Sequence, residues 1–269
     1  MKKTFSKFLL LLVVIIMFCC SDEQIAPPAL TEDLATSASA YSPDIFVAEI
    51  TTMSPDGTTG PPPVGVGFEL MGSGGKVSIN WGDGTIEKVT LTQDLMQFRH
   101  QYDRVKNYYI KIDGDIRNIE YYGMSYQDGV KVRNLHLSGL TGLKSLNLVI
   151  MTQSPEVINL SHNKLIEEID FVDLLTLKDI IIPTTNKLRD VRLTGCTQLN
   201  TAAIDNIIGR IYQSVVSVPR TGSFNFSMSW YDSELENEMI GPPSDYSLNK
   251  LRKLRDTYGW GVYPDPDSN

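Results

Sequence analysis

Side chains able to do chemistry are scattered in this chain. The three histidines, His100, His136 and His162, lie far apart, and none stands in a metal-ligand spacing such as H-E-x-x-H. There is no G-x-S-x-G, no P-loop and no G-x-G-x-x-G opening a helix. Gly65-x-Gly67 lies inside an alternating run and carries no nucleotide signal. Carboxylates cluster at Glu167-Glu168 and Asp170, but a glycosidase needs two acids held apart across a cleft, and these read as a solvated face. Asp83, alone or with Asp113 and Asp115, is the calcium candidate. Calcium takes about six to eight oxygens held close together, so Asp83 is read instead as a hairpin residue. Cys196 stands apart from Cys19-Cys20 and is read as a small buried hydrophobe. Trp230-Tyr231 and Trp260 could stack on a sugar, although Trp230 continues an inward stripe and reads as core. Lys250, Arg252, Lys253 and Arg255 read as the wet side of a helix. The expectation is therefore no catalytic residue, no metal site and no cofactor.

The remaining chemistry is that of surfaces, and the elements that would position one can be traced. With 269 residues, the chain holds one large or two modest domains, and 42% hydrophobic content suffices for real cores. A net charge of −8 argues against nucleic acid, because no basic stripe offsets phosphate repulsion. Lys2, Lys3 and Lys7 precede an apolar run, Phe8 to Phe18, too short to cross a bilayer core of roughly 30 Å as a helix. Residues 1–19 thus read as a secretory signal. The continuation, Met17-Phe18-Cys19-Cys20-Ser21-Asp22-Glu23, resembles a bacterial lipoprotein signal, with Phe18 or Cys19 where a small residue is usual. The resemblance implies a lipidated cysteine, placed here at Cys20 with Cys19 as the other candidate. It implies anchorage in the outer membrane, and the acidic Ser21-Asp22-Glu23 resembles the surface-export tag of Bacteroidetes lipoproteins. Residues 20–43, rich in Ala, Ser, Thr and Pro, read as a flexible tether.

Residues 44–115 read as strands. Ile45 to Thr51 is a short apolar run. Val64, Val66, Phe68 and Leu70 alternate with Gly65, Gly67 and Glu69. Val77, Ile79 and Trp81 alternate again and stop at Gly82-Asp83-Gly84, a hairpin signal. A further run, Tyr108 to Ile112, ends at Asp113-Gly114. The segments Val77 to Thr85, His100-Gln101-Tyr102 and Tyr108 to Gly114 resemble the W-G-D-G-T, H-x-Y and G-x-Y-x-v-x-v pattern of PKD-like (polycystin-type) β-sandwiches, with Asn107 where glycine is common. In that family the domain is an extracellular spacer or interaction module.

Residues 116–199 carry a beat. Leu135, Leu146, Ile158, Ile169, Ile180 and Val191 recur every eleven residues, once twelve, each opening an apolar-x-apolar phrase. Gly139, Gly142, Pro155, Pro183 and Gly195 exclude a continuous helix, so each phrase is a short strand with its middle residue outward. With Ser161-His162-Asn163-Lys164-Leu165 and Thr194-Gly195-Cys196-Thr197-Gln198-Leu199, the phrases resemble Bacteroidetes leucine-rich repeats, L-x-L-S-x-N/C-x-x-L. Alternate phrases fall on opposite faces. One ladder carries Asn147, Asp170 and Arg192; the other carries His136, Asn159 and Ile181. Tyr121, Tyr122 and Tyr126 are expected to seal the junction between sandwich and repeats.

Residues 200–269 break the beat and read as an α/β cap. It holds a helix after Asn200-Thr201, a strand through Phe224, Phe226, Met228 and Trp230, a helix from Ser244-Asp245 to Gly259, and a last strand at Trp260 to Tyr263. The expected fold is thus β-rich and multidomain: a PKD-like sandwich, a short leucine-rich-repeat solenoid and an α/β cap. The expected function is non-enzymatic adhesion by a monomer to a protein partner at the cell surface, through the repeat face. The alternative is a glycan-binding accessory lipoprotein of a polysaccharide-uptake system. A hydrolase would require a cleft with two facing acids.

Overall fold

The computed structural model describes residues 44–53, 64–125, 129–151, 153–229, 235 and 237–267. The signal segment with Cys19 and Cys20, the tether, Tyr126 and Trp230-Tyr231 lie outside these residues. The described chain is β-rich, with fifteen strands in three sheets and two α-helices.

The first strands are β1 (Phe46–Thr52), β2 (Val64–Gly72), β3 (Lys76–Asn80), β4 (Ile86–Thr90), β5 (Met96–Tyr102), β6 (Asn107–Gly114), β7 (Ile119–Met124) and β8 (Val130–His136). An antiparallel five-stranded sheet has the order β4-β3-β6-β1-β8. The period-two pattern of β2 is obeyed: Val64, Val66, Phe68 and Leu70 are buried, while Gly65 is exposed and Gly67 and Glu69 are half-buried. The inner faces of two sheets meet in an aromatic core. There the rings of Phe46 and Tyr122 lie 4.9 Å apart and those of Phe68 and Trp81 5.2 Å apart. Tyr102 donates its hydroxyl to the Trp81 carbonyl at 2.7 Å. The β3–β4 turn closes at Gly82-Asp83-Gly84, where the positive φ of both glycines (84° and 104°) suits a tight hairpin.

Next come β9 (Ser145–Val149), β10 (Val157–Asn159), β11 (Glu168–Val172), β12 (Asp179–Ile181) and β13 (Asp190–Arg192), then α1 (Thr201–Ser217), β14 (Ser223–Asn225), α2 (Asp245–Tyr258) and β15 (Gly261–Tyr263). An eight-stranded sheet has the order β15-β14-β13-β11-β9-β7-β2-β5, and β10 and β12 form a separate parallel pair. From β7 to β15 every pairing in the large sheet is parallel and in register. The six anchors are all buried, none more than 3% exposed. A corner with positive φ follows each of β9, β11 and β13, at Ile150, Asp173 and Gly195 (54°, 53° and 72°). Each corner N–H bonds to a carbonyl beyond the next strand of the sheet or at its end: Ile150 to Val172 at 2.7 Å, Asp173 to Thr194 at 2.9 Å, and Gly195 to Ser227 at 3.1 Å.

β7 pairs with β2 as well as with β9, so hydrogen bonding runs from the antiparallel strands into the parallel ones. Two expectations change. Leu135 opens the beat, but its strand β8 pairs antiparallel with β1 and closes the five-stranded sheet. The stripe expected from Phe224 onward is a strand only to Asn225. The Asn225 side chain accepts the Ser227 N–H at 3.1 Å and turns the chain, so Ser227 and Ser229 are buried where alternation would expose them.

The helices follow their caps. Asn200 accepts the Ala203 N–H at 3.0 Å, Ser244 accepts the Ser247 N–H at 3.4 Å, and Gly259 (φ 69°) ends α2. Ile204, Ile207, Ile208, Ile211 and Val215 line the fully buried face of α1. Arg252 and Arg255, read from sequence as wet, pair with Asp265 and Asp267 and tie the C-terminal segment to α2. No helix among the described residues is long and apolar enough to cross a membrane.

Candidate functional site

The large sheet's outer face is built from the middle residues of the repeated phrases. In a strand the flanking apolar residues point inward, so the middle one must point out. In-register neighbours then share a face. Asn147, Asp170 and Arg192 are direct neighbours on β9, β11 and β13, and the row continues to Asn225 and Tyr263. It also runs the other way, from Asn147 to Gly123 on β7, Glu69 on β2 and Gln97 on β5.

The central three residues interlock. Asn147 donates to Asp170 Oδ2 at 3.0 Å, and Arg192 donates Nη2 to the same oxygen at 2.7 Å and Nε to Oδ1 at 2.5 Å. This two-point contact raises the Arg192 guanidinium above its ordinary value, against an opposing effect of burial. A second row lies beside it, where Ser145 donates to Glu168 and Ser223 to Asp190, each at 2.9 Å. The sequence reading of Glu168 and Asp170 as merely solvated misses this bonding across strands. The side chain of Arg192 is 49% exposed and that of Asp170 15%, so the row presents a rigid polar surface with its cation outermost.

The second predicted ladder is assembled differently. Asn159 and Ile181 are in register on β10 and β12. His136 is on β8, in another sheet, yet all three line one cavity of about 390 Å³. His136 is only 7% exposed, and its Nε2 lies 2.8 Å from Glu49 Oε1. Its expected outward position is therefore covered, because Glu49 on the neighbouring strand holds the ring. Asn159 accepts the Ser161 N–H at 3.0 Å, a local turn bond. Arg133 also lines the cavity. It sits where the β1–β8 register shifts between Glu49 and Ile50, and this bulge brings its guanidinium to 3.8 Å from Glu49. No sequence motif marks Glu49 or Arg133, because the shift depends on a strand more than eighty residues away.

The other chemistry-bearing residues are structural. His100 Nε2 lies 2.7 Å from Asp83 Oδ2, and its ring stacks on Trp81 at 4.9 Å. Burial alone would raise the Asp83 carboxyl, but hydrogen bonds from the Thr85 N–H and His100 outweigh it, and the group lies below the ordinary carboxylate value. Asp113 and Asp115 are not drawn into a site with Asp83, and no group of three or more His, Cys, Asp or Glu among the described residues is placed to hold a metal ion. Cys196 is fully buried, and burial pushes its thiol up to about 12. Trp260 is 2% exposed and donates to the Arg220 carbonyl at 2.8 Å, so it is no sugar platform. His162 is exposed beside Ser161. Tyr122 is buried between the rings of Phe46 and Phe68, while half-buried Tyr121 reaches Glu69 at 3.4 Å.

Fold and surface together define a β-rich protein of several sheets that carries an ordered polar row along one face. No family model, curated protein sequence or solved structure matches the chain.

Proposed function

We propose that the protein is a non-enzymatic binding or adhesion protein of the bacterial cell surface, which recognises a protein partner through the outer face of its parallel strands. In this reading it is a Bacteroidetes-type lipoprotein, anchored in the outer membrane through Cys20. Its PKD-like sandwich would lead into a short leucine-rich-repeat stack and an α/β cap.

The supporting observation is the Asn147–Asp170–Arg192 row. Its residues are fixed in register by buried anchors and hydrogen-bonded to each other, so a partner would meet a preorganised polar strip. The glycan alternative, in the form of an aromatic platform, loses Trp260 to the core.

The test is binding of the lipidated chain, displayed on cells, to an array of extracellular proteins. Alanine variants of Asn147, Asp170 and Arg192 are compared with variants of His136, Asn159 and Ile181. The first set should weaken binding of whatever the wild type captures by about tenfold or more, as truncation of a central polar cluster costs roughly 2 kcal/mol. Undiminished binding by the first set refutes the assignment to this row.

A further inference from the structure

A second concave site lies at the far end of the same sheet, over β2 and β5. It is a trough of about 350 Å³, within the range of small-ligand clefts, roughly 300–1,000 Å³. Gly65 and Gly67 occupy outward positions, so its floor there is strand backbone, while Gly123 at its end is covered by the Tyr121 side chain.

Gly65 is the informative residue. A glycine inside a strand weakens it by about 0.5–1 kcal/mol relative to alanine, so its presence needs a cause. The usual causes are absent. Among the glycines whose surroundings are described, most would drive a Cβ into a neighbour or have positive φ: a Cβ on Gly114 would lie 2.5 Å from the Lys76 carbonyl, and one on Gly82 2.8 Å from that of Tyr109. At Gly65 the added Cβ would meet nothing within 4 Å, and φ is not positive. The fold would accept any strand-forming residue there. What glycine preserves is the empty space above it, the mark of a place where something approaches the backbone closely.

The walls indicate what approaches. Across β2 and β5, Gly65 faces Gln101 and Gly67 faces Arg99. Neither Gln101 nor Arg99 has a hydrogen-bond or ion-pair partner among the described residues, since each stands opposite a residue with no side chain. One step along, where side chains face each other, Gln97 donates to Glu69 at 2.9 Å. The trough thus presents an uncommitted carboxamide, an uncommitted guanidinium and a flat floor. The N–H and C=O groups of the floor lie in the plane of the sheet rather than pointing up into the trough, so a peptide laid across this face would find no main-chain partner there. A ring bearing hydroxyls and a carboxylate suits it better. The carboxamide both donates and accepts, as hydroxyls require, and a guanidinium takes a carboxylate at two points. Arg192 holds Asp170 by the same Nε–Nη2 edge.

We propose that this trough binds an acidic glycan, with Arg99 on a sugar carboxylate, Gln101 on ring hydroxyls and the ring lying over Gly65. The trough adjoins the end of the polar row at Glu69 and Gln97, but none of Asn147, Asp170 and Arg192 lines it. The test is calorimetric titration of the whole protein with oligogalacturonate, neutral cello-oligosaccharide and oligoglutamate. Oligogalacturonate should bind, the other two should not, and Arg99→Gln should weaken it at least tenfold. Gly65→Val should abolish binding while leaving the melting temperature unchanged or raised, which separates a filled trough from a damaged fold. The combined N147A, D170A and R192A variant should bind oligogalacturonate normally. Absent oligogalacturonate binding, binding indifferent to G65V and R99Q, equal binding of oligoglutamate, or loss in the triple variant would each overturn the proposal.

Discussion

Asn163 offers a quantitative test of how successive segments of the chain are held together. Its side chain is fully buried, and its Nδ2 donates to the carbonyls of Leu137 at 3.0 Å and Leu140 at 2.7 Å, 26 and 23 residues earlier. Asn163→Ala removes both bonds, at about 1 kcal/mol net each, and leaves a small void costing roughly 1 kcal/mol more. Two facts keep the total moderate. Both carbonyls retain a backbone donor, Leu140 N–H and Leu143 N–H, each at 3.0 Å. The amide Oδ1, which has no partner where it is buried, is also removed. The expected loss is about 2–4 kcal/mol, or roughly 4–16 °C in melting temperature for a domain of this size. Asn163→Asp should be worse, because it sets a buried carboxyl oxygen against two carbonyl oxygens. Urea unfolding followed by tryptophan fluorescence reads the effect. Trp81 is buried beside β3 of the five-stranded sheet and Trp260 beside β15 of the eight-stranded sheet, so single-tryptophan variants also test whether the two regions unfold together. A change below about 0.5 kcal/mol in Asn163→Ala, the range of an ordinary surface substitution, would refute the view that this side chain ties its own turn to the Leu137–Leu140 turn.

Two further predictions concern titrating groups. Cys196, with its thiol pushed up to about 12 by burial, should resist iodoacetamide at pH 8 in the native protein and react in urea; native-state labelling of its peptide, read by mass spectrometry, would contradict the packing. The depressed Asp83 carboxyl contributes stability that is fully present above the ordinary aspartate value of 3.8 and is lost as pH falls through the lower folded value. The stability difference between wild type and Asp83→Asn should therefore shrink as pH falls below about 4; a difference that does not change between pH 4 and pH 2 would dissociate Asp83 from acid unfolding.

Much of the fold is legible because its signals are local. Asn200, Ser244 and Gly259 bound their helices as their side chains and backbone freedom dictate, and Gly82-Asp83-Gly84 makes the hairpin. The row of Asn147, Asp170 and Arg192 is legible for a different reason. A constant coil length forces equivalent phrases into register, so periodicity alone places them side by side. The same logic fails at Leu135. Its phrase has the right spacing and the right residues, but β1 has an edge to fill, and β8 joins it antiparallel. A period along the chain says nothing of which distant edge lacks a partner. His136 moves with its strand and meets Glu49, more than eighty residues earlier. The trough is hidden in another way. Gly65-x-Gly67 is visible in the sequence, but only the surroundings of Gly65 distinguish a glycine the backbone needs from one it does not.

The continuity of the eight-stranded sheet bears on why antiparallel and parallel strands occur together in it. A parallel stack leaves an open edge at its first strand, and an open edge invites pairing with other chains. Here β7 is the first parallel strand, and β2 covers its free side antiparallel, with Leu70 against Tyr122 and Glu69 against Gly123. β2 thus covers the first parallel strand while also pairing antiparallel with β5. At the far end β14 and β15 are only three residues long, and α2 packs against β15. Covering β7 in this way carries the outer face of the stack onto β2 and β5 without a break. A polar row begun by the repeats therefore extends to Glu69 and Gln97, and the trough beside them shares its plane. Two sites of different chemistry can then face the same direction with no hinge in the sheet between them, because β7 hydrogen-bonds to both halves.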